Sequence, residues 1–263
     1  GITATALEKS MLVQPDLFLR IRPGYEQKVP QQLQQAGLAF RKMNDHCVAL
    51  DNAVKADELL MIDKEVVIQD YSSQQIGGLL QLIAPATVKQ VWDCCAASGG
   101  KSLLAYDLMP GIELTVSDIR ESILANLRKR FAVAGIKQYE LFRADMSVAK
   151  IRPPLSAYDL VIADVPCSGS GTWSRTPEQL YYFEEKKIAE YASLQRKILS
   201  QAIHFVKPGG YFLYITCSVF SEENEIQAAW LCEAGFETIQ QQLFTGYLLK
   251  ADTLFGVLLR RKL

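Results

Sequence analysis

Two cysteines stand out by what surrounds them. Cys167 lies in Asp164-Val165-Pro166-Cys167-Ser168-Gly169-Ser170-Gly171, and Cys217 in Tyr214-Ile215-Thr216-Cys217-Ser218. Apolar, strand-favouring runs at 158–163 and 211–215 precede them, and turn formers follow. Each thiol therefore falls just past the carboxyl end of a strand, the edge of an open α/β sheet where ligands bind. A lone cysteine is ordinarily a small buried hydrophobe, and Cys47, Cys94, Cys95 and Cys232 are read that way. Two thiols and Asp164 at one edge allow covalent chemistry. A thiolate adding to carbon 6 of a pyrimidine makes carbon 5 enamine-like and able to take a methyl group. An acid assists by protonating or hydrogen-bonding the ring, a part suited to Asp164. The base must be unpaired or flipped out to be reached. Glu222 and Glu223, soon after Cys217, oppose a thiolate there.

A methyl donor needs its own site. The segment Ala96-Ala97-Ser98-Gly99-Gly100-Lys101-Ser102 follows a strand and opens a helix. Its small residues let a ligand approach the backbone, and a helix amino end favours negative charge. A phosphate-binding G-x-x-x-x-G-K-S loop needs glycine where Cys95 stands. The dinucleotide pattern G-x-G-x-x-G is absent, which disfavours a nicotinamide dehydrogenase. S-adenosylmethionine is the remaining ligand class. Asp118 ends the next strand, where an acid suits ribose hydroxyls. Asp145 follows the third strand, placed for an adenine amino group. Asp93, inside the first strand, is placed to hold the loop or the donor's amino group. Any one of these aspartates is as readily a turn residue or cap. Acids at successive strand ends are a stronger signal.

The elements that carry these residues alternate. Strands over 90–95, 113–116, 139–142, 158–163 and 211–215 interleave with helices over 101–108, 121–134, 184–206 and 222–233, and strands over 236–241 and 254–259 follow. The expectation is an α/β fold: a Rossmann-like, mostly parallel, seven-stranded sheet with helices on both faces. In the long helix Ile188, Tyr191, Leu194, Ile198, Ala202 and Phe205 recur at threes and fours as core contacts, ended by Pro208-Gly209-Gly210. Ser221 is read as the cap of the helix after Cys217. Residues 1–70 predict a small α+β domain, with strands at 18–21, 48–50 and 66–68 and a helix over 28–36 stopped at Gly37. A helix over 71–82, with Ile76, Leu79, Leu80 and Ile83 on one side, opens the second domain, 71–263.

These motifs resemble the Nol/Nop/Sun RNA 5-methylcytosine methyltransferases, including their bacterial Sun (Fmu) branch. The resemblance rests on Asp93 to Ser102, on Asp164 to Gly171, and on Thr216-Cys217-Ser218 with Glu222-Glu223-Asn224. Phe18-Leu19-Arg20-Ile21, Gln69-Asp70 with Ser72-Ser73-Gln74, and Gly246-Tyr247 extend it over nearly the whole chain. It implies an S-adenosylmethionine-dependent methyltransferase fold acting on cytosine in RNA, ribosomal or transfer. It implies that Cys217 is the nucleophile, that Cys167 aids product release and that Asp164 contacts the cytosine. It also implies that Ala96, Ala97, Ser98, Gly99, Gly100 and Lys101, with Asp118, Asp145 and Asp164, line the cofactor site. Residues 1–70 would be the family's RNA-binding module. Ser98 stands where the family usually has proline, Ser102 where threonine is common, Ile215 where a small polar residue is usual and Arg143 where glycine is. Arg175, soon after the Cys167 motif, is within reach of RNA phosphate. Trp173, Tyr181 and Tyr182 are candidates to stack on bases, at least one of them being core instead.

The remaining features exclude more than they assign. The net charge is -1. The basic runs Arg128-Lys129-Arg130, Lys186-Lys187, Arg196-Lys197 and Arg260-Arg261-Lys262 are of the kind that solvated helix faces carry. No apolar run reaches the roughly 18 residues of a membrane span. No cysteine pair has C-x-x-C spacing, and the histidines are His46 and His204. Neither membrane nor metal is expected, and the thiols are expected reduced, in a cytoplasm. Monomer is the default state. The chain begins at Gly1 and not Met, so a longer natural chain is expected. Two other activities fit parts of the pattern. One is a non-catalytic RNA-binding protein on the same fold. The other is a methyltransferase acting on an exocyclic amine, which needs no thiol.

Overall fold

A computed structural model describes residues 2–148 and 151–263, and Gly1 lies outside them. The first elements are α1 (Ala4–Ser10), β1 (Leu17–Ile21), α2 (Lys28–Gln35), β2 (Arg41–Asn44), β3 (Cys47–Leu50) and β4 (Val66–Ile68). Their antiparallel sheet has the order β2-β3-β1-β4. Leu19, Ile21, Val48, Leu50 and Val66 form its core against Val29 and Leu33 of α2. The left-handed Gly37 (φ 69°) follows that helix closely, where a side chain would be strained. β2 has no counterpart in the sequence reading. None of its residues is buried, so it shows no inside–outside alternation.

Asp70 then caps α3 (Tyr71–Gln75), accepting the Ser72 amide at 2.8 Å, a contact worth about 1 kcal/mol. α4 (Gly77–Leu80) follows, so the expected single helix over 71–82 is two short ones meeting at Ile76. Its predicted stripe holds: Ile76, Leu79, Leu80 and Ile83 are all buried.

The large sheet comprises β5 (Gln90–Asp93), β6 (Glu113–Asp118), β7 (Tyr139–Arg143), β8 (Tyr158–Asp164), β9 (Val206–Thr216), β10 (Phe236–Thr245) and β11 (Thr253–Arg261). Between them run α5 (Gly100–Leu108), α6 (Glu121–Ala134), α7 (Pro177–Tyr181), α8 (Lys186–Ala202) and α9 (Glu225–Glu233). The order is β10-β11-β9-β8-β5-β6-β7, with β11 antiparallel to both neighbours and the β7-to-β9 pairs parallel. This is the Rossmann-like methyltransferase architecture. The progression of strand order reverses between the parallel strands β5 and β8, so the crevice past their carboxyl ends is the topological switch point.

Two cores cover the two faces. Leu103, Leu104, Leu127 and Phe131 of α5 and α6 join Ile76 and Leu79 on one side. Ile198, Leu199, Ala202, Ala228 and Leu231 of α8 and α9 pack on the other around Trp92 and Phe212. Burying a side chain such as Phe131 contributes about 2–3 kcal/mol. The long helix departs from expectation twice. It ends at Ala202, and Pro208-Gly209-Gly210 lies inside β9, where a register shift against β8 absorbs it. Its apolar stripe also includes Gln195, which is fully buried.

The two sheets are joined by charge. Arg20 Nη1 and Arg22 Nη2 both reach the Asp107 carboxylate of α5, at 2.6 and 2.8 Å, with all three side chains nearly buried. Arg130 of α6 holds Asp63 at 2.7 Å.

Candidate active site

The loop after β5 turns sharply to enter α5. Ala97 takes a left-handed backbone (φ 46°), as does Gly99 (φ 86°). A Cβ on Gly99 would come within 2.8 Å of the Phe131 ring, so glycine is required for the helix pair to close. The Asp118 carboxylate, at the end of β6, accepts the Ala97 amide at 3.0 Å and the Arg120 amide at 3.0 Å. Asp145 accepts the Ser147 amide and hydroxyl, which hold its pKa below the usual carboxylate range.

These groups surround a cavity of about 410 Å³ lined by Ala97, Asp118, Asp145, Asp164, Val165 and Pro166. Cys94, Cys95, Leu194 and Ile198 line it too. Leu194 and Ile198, expected as core contacts without a part in chemistry, thus form an apolar wall of the cavity. Ala96, Ser98, Gly99, Gly100 and Lys101 are not among its lining residues. Ser98 faces Arg130, whose Nη1 donates to its hydroxyl at 3.0 Å and its carbonyl at 2.9 Å. Lys101 reaches across to donate to Asp164 Oδ2 and the Ser73 hydroxyl, both at 2.8 Å. Among the described residues the one cation on the cavity wall, Arg120, is paired to Asp118. Carboxylates with an apolar wall suit an uncharged or cationic nucleoside and not a pyrophosphate.

Beneath the loop, Asp93 is fully buried and accepts the Ser102 hydroxyl at 2.6 Å. Burial pushes its pKa up to about 7 despite that bond, with the charge of Asp164 adding to the effect.

The two cysteines lie at the ends of β8 and β9. Their sulfurs are 3.2 Å apart, and both are free, half-buried thiols. Gly171 makes this approach possible. Its amide donates to the Cys217 carbonyl at 2.9 Å, and a Cβ there would lie 2.0 Å from the Thr253 carbonyl oxygen. The neighbouring Cys217 thiol, then burial, raise the Cys167 pKa well above its ordinary value, so Cys167 stays protonated.

Glu223 ties the two loops together. It is fully buried, and its carboxylate accepts the Ser168 amide at 2.7 Å and the Ser218 hydroxyl at 2.9 Å. Gln195 donates to the same carboxylate at 3.2 Å and to the Pro166 carbonyl at 3.0 Å. The Tyr214 hydroxyl donates to Gln195 Oε1 at 3.1 Å and to the Glu223 carbonyl. Of the two acids expected to oppose a thiolate, Glu222 is exposed, whereas the buried Glu223, though met by donors, adds its charge to the rise of the Cys167 pKa. The acid after Cys217 carries a weak sequence signal for this tie; Gln195 carries none beyond interrupting an apolar stripe. Ser221 does not cap α9, which begins after Asn224. The Ser221 hydroxyl bonds Glu222, and the Asn224 side chain is taken by Thr216 and Ser218.

Arg175 is not free for phosphate alone, because its Nη2 pairs with Asp252 and lies 3.5 Å from Asp70. Trp173 is buried against Phe183 and Phe220. Tyr181 and Tyr182 are 80% and 77% exposed, their rings edge to face. Among the described residues no cluster of metal ligands occurs, and no helix is long and apolar enough to cross a membrane.

Residues 80–242 match the family described as 16S rRNA methyltransferase RsmB/F. Ribosomal RNA small subunit methyltransferase B of Xylella fastidiosa is 30% identical over 232 residues, covering 86% of this chain and 54% of that protein. Its counterpart from Erwinia tasmaniensis is 32% identical over 167 residues, 62% of this chain and 37% of that protein. The chain thus spans about half or less of the length of these curated relatives. Among solved structures, PH0851 superposes with a TM-score of 0.85 at 24% identity, over 97% of this chain and 62% of that one. NSun6 from Pyrococcus horikoshii with SFG gives 0.81 at 14% identity, over 98% and 94%. At these identities the likeness is one of fold.

Proposed function

Because the chain belongs to the 16S rRNA methyltransferase RsmB/F family, we propose that it transfers a methyl group from S-adenosylmethionine to carbon 5 of a cytosine in RNA, with ribosomal RNA as the substrate class. The observation that carries this reading is the pair of thiols 3.2 Å apart beside the Lys101–Asp164 pair. A methyl transfer to nitrogen or oxygen needs no such thiols.

Each group has a part. Cys217 adds as thiolate to carbon 6, forming a sulfur–carbon bond and moving the ring's electron pair toward carbon 5. Asp164, held by Lys101, hydrogen-bonds the pyrimidine ring. Lys101 suits this: burial opposes its charge, yet Asp164, Asp93 and Cys217 outweigh burial and raise its pKa. The bound donor supplies an electrophilic methyl group, which carbon 5 takes. A base then removes the carbon 5 proton, the electron pair of that bond restores the ring double bond, and the pair of the breaking sulfur–carbon bond leaves with Cys217 as thiolate. The protonated Cys167 donates a hydrogen bond to the departing sulfur. Ala97, Asp118, Asp145, Asp164 and the Leu194–Ile198 wall would hold the donor, and Ser98 to Lys101 would shape the loop from behind.

Residues 1–70 are read as an RNA-binding module and 71–263 as the catalytic domain. The exposed Tyr181 and Tyr182, beside the Cys167 loop, suit stacking of unpaired bases. The proposed compartment is the cytoplasm and the proposed state a monomer, with no metal in the scheme.

Nucleoside mass spectrometry of unmodified ribosomal and transfer RNA, incubated with the protein and labelled methyl donor, tests the reading. Labelled 5-methylcytidine in ribosomal RNA is expected. Label in transfer RNA alone would change the substrate class. Labelled methyl on nitrogen would overturn the mechanism. Activity no higher than that of Cys217→Ala would favour a non-catalytic RNA-binding protein.

A further inference from the structure

Two amino-terminal segments that the sequence singles out have no part in the scheme above: the one holding Arg20, and the one holding Gln69 and Ser73. The structure joins them in one chain of hydrogen bonds that ends at Asp164. Arg20 Nε donates to Gln69 Oε1 at 2.8 Å, and Gln69 Nε2 donates to the Ser73 hydroxyl at 3.2 Å. Lys101 Nζ donates to the same hydroxyl and to Asp164 Oδ2, both at 2.8 Å. Arg20, Gln69 and Lys101 are all buried.

The polarity of this chain is forced from both ends. A guanidinium and an ammonium can only donate. Gln69 must therefore turn its oxygen to Arg20, which leaves Nε2 facing Ser73. Ser73 accepts from Gln69 and from Lys101, and both lone pairs of its oxygen are used. A hydroxyl gripped by two donors keeps one rotamer, so Lys101 meets a fixed acceptor besides Asp164. Backbone contacts place Gln69 for this. Its amide donates to the Phe18 carbonyl at 3.2 Å, and its carbonyl accepts Gln74 Nε2 at 2.8 Å. Asp70 caps α3, which sets Ser73 in the first turn of that helix. Arg20 is held in turn by Asp107 of α5, the helix that carries Lys101. The small sheet thus reaches α5 at Asp107 and, through Gln69 and Ser73, at Lys101.

We propose that Gln69 is a positioning residue for Lys101: it fixes the Ser73 hydroxyl, and Ser73 with Asp164 fixes the ammonium. The amino-terminal sheet is then part of the methyl-transfer apparatus as well as the module read as binding RNA. The proposal rests on the reading of Lys101 and Asp164 as groups of a cytosine-methylating site, and one arm of its test needs neither RNA nor methyl donor.

In the first arm, kcat and both KM values are measured for the wild type, Ser73→Ala, Ser73→Thr, Gln69→Met and the double variant Gln69→Met with Ser73→Ala. Ser73→Ala is expected to lower kcat about tenfold and Gln69→Met about fivefold, with KM for RNA and for donor changed less than about twofold. Ser73→Thr, which keeps the hydroxyl, is expected to recover most of the loss. Because Gln69 acts through Ser73, the double variant should be no slower than Ser73→Ala alone. Losses that multiply in the double variant, or that fall on KM, overturn the proposal. Should Gln69→Met fail to fold, Gln69→Asn, too short to span Arg20 and Ser73, takes its place with the same expectation.

In the second arm, acetylation of Lys101 by acetic anhydride is followed by peptide mass spectrometry, with the exposed Lys186 as internal reference. Both single variants free the ammonium from a fixed partner and should quicken its acetylation about threefold. An unchanged Lys101 rate overturns the proposal. Quickened acetylation in a protein whose wild type makes no 5-methylcytidine would sink the proposed function and leave the positioning of Lys101 standing.

Discussion

The two ends of the crevice are built by different means. At the donor end, backbone shape does most of the work. Ala97 and Gly99 take left-handed conformations, Asp118 receives the Ala97 amide, and Arg130 braces Ser98 from behind. At the cysteine end, side chains hold side chains and loops. One carboxylate, Glu223, joins Ser168 to Ser218, and Gln195 and Tyr214 brace it from beneath. Local backbone geometry tolerates changes a few ångströms away. A shared buried carboxylate does not, because each donor it loses is left unsatisfied. The donor end should therefore degrade gradually under substitution and the cysteine end abruptly.

The sharpest separation within the cysteine end itself comes from its two thiols. Cys217→Ala is expected to abolish both methylation and any covalent RNA adduct. Cys167→Ala is expected to leave an adduct that survives denaturing gels. An adduct that needs Cys167 instead would reverse the roles. Next in size is Gly171→Ala, whose added carbon meets the Thr253 carbonyl oxygen. It should cost about 3 kcal/mol in urea unfolding and remove activity, while donor binding by calorimetry is retained. Loss of donor binding as well would show that the two ends are one cooperative unit. Glu223→Ala should destabilise by about 2 kcal/mol and quench turnover far more than donor affinity.

Substitutions at the donor end should be milder. The folded-state pKa of Asp93 lies above its unfolded value, so folding favours its protonated form. Stability is then fully present below the ordinary aspartate range and is lost as pH rises from there toward about 7. Asp93→Asn should flatten that slope in denaturation measured at successive pH values; an unchanged slope would assign it elsewhere. Smallest of all, Arg130→Ala should weaken donor binding by about threefold, roughly 0.7 kcal/mol, by releasing Ser98, with little effect on Cys217 alkylation.

The same contrast governs what the sequence made visible. Alternation and turn residues located every strand of the large sheet, most of them apolar and several closed by an acid. They also brought Cys167, Cys217 and Asp164 to one edge. What escaped depends on partners far away in the chain. Gln195 reads as a break in a stripe until Glu223 is placed beside it. Arg175 reads as a free cation until Asp70 and Asp252 close on it. β2 and α7 bury nothing and so carry no period to detect. Lys101 reads as part of the loop lining the cofactor site, yet its partner is a carboxylate 63 positions away.

The paired arginines of the small sheet bear on how the chain comes to be made. Arg20 and Arg22 are 5% and 8% exposed, and the charge they share is Asp107. Burial depresses the Arg20 pKa, an opposition that Asp107 only partly offsets. In a nascent chain that has left the ribosome only as far as residue 99, both guanidinium groups would stay in water, on the side of β1 opposite the Leu19 and Ile21 side chains that fill the small core. The amino-terminal sheet can therefore close as soon as it is made, in keeping with domains that fold from the amino end. Its docking is the step that must wait, because desolvating the two cations is unfavourable until Asp107 has emerged on α5.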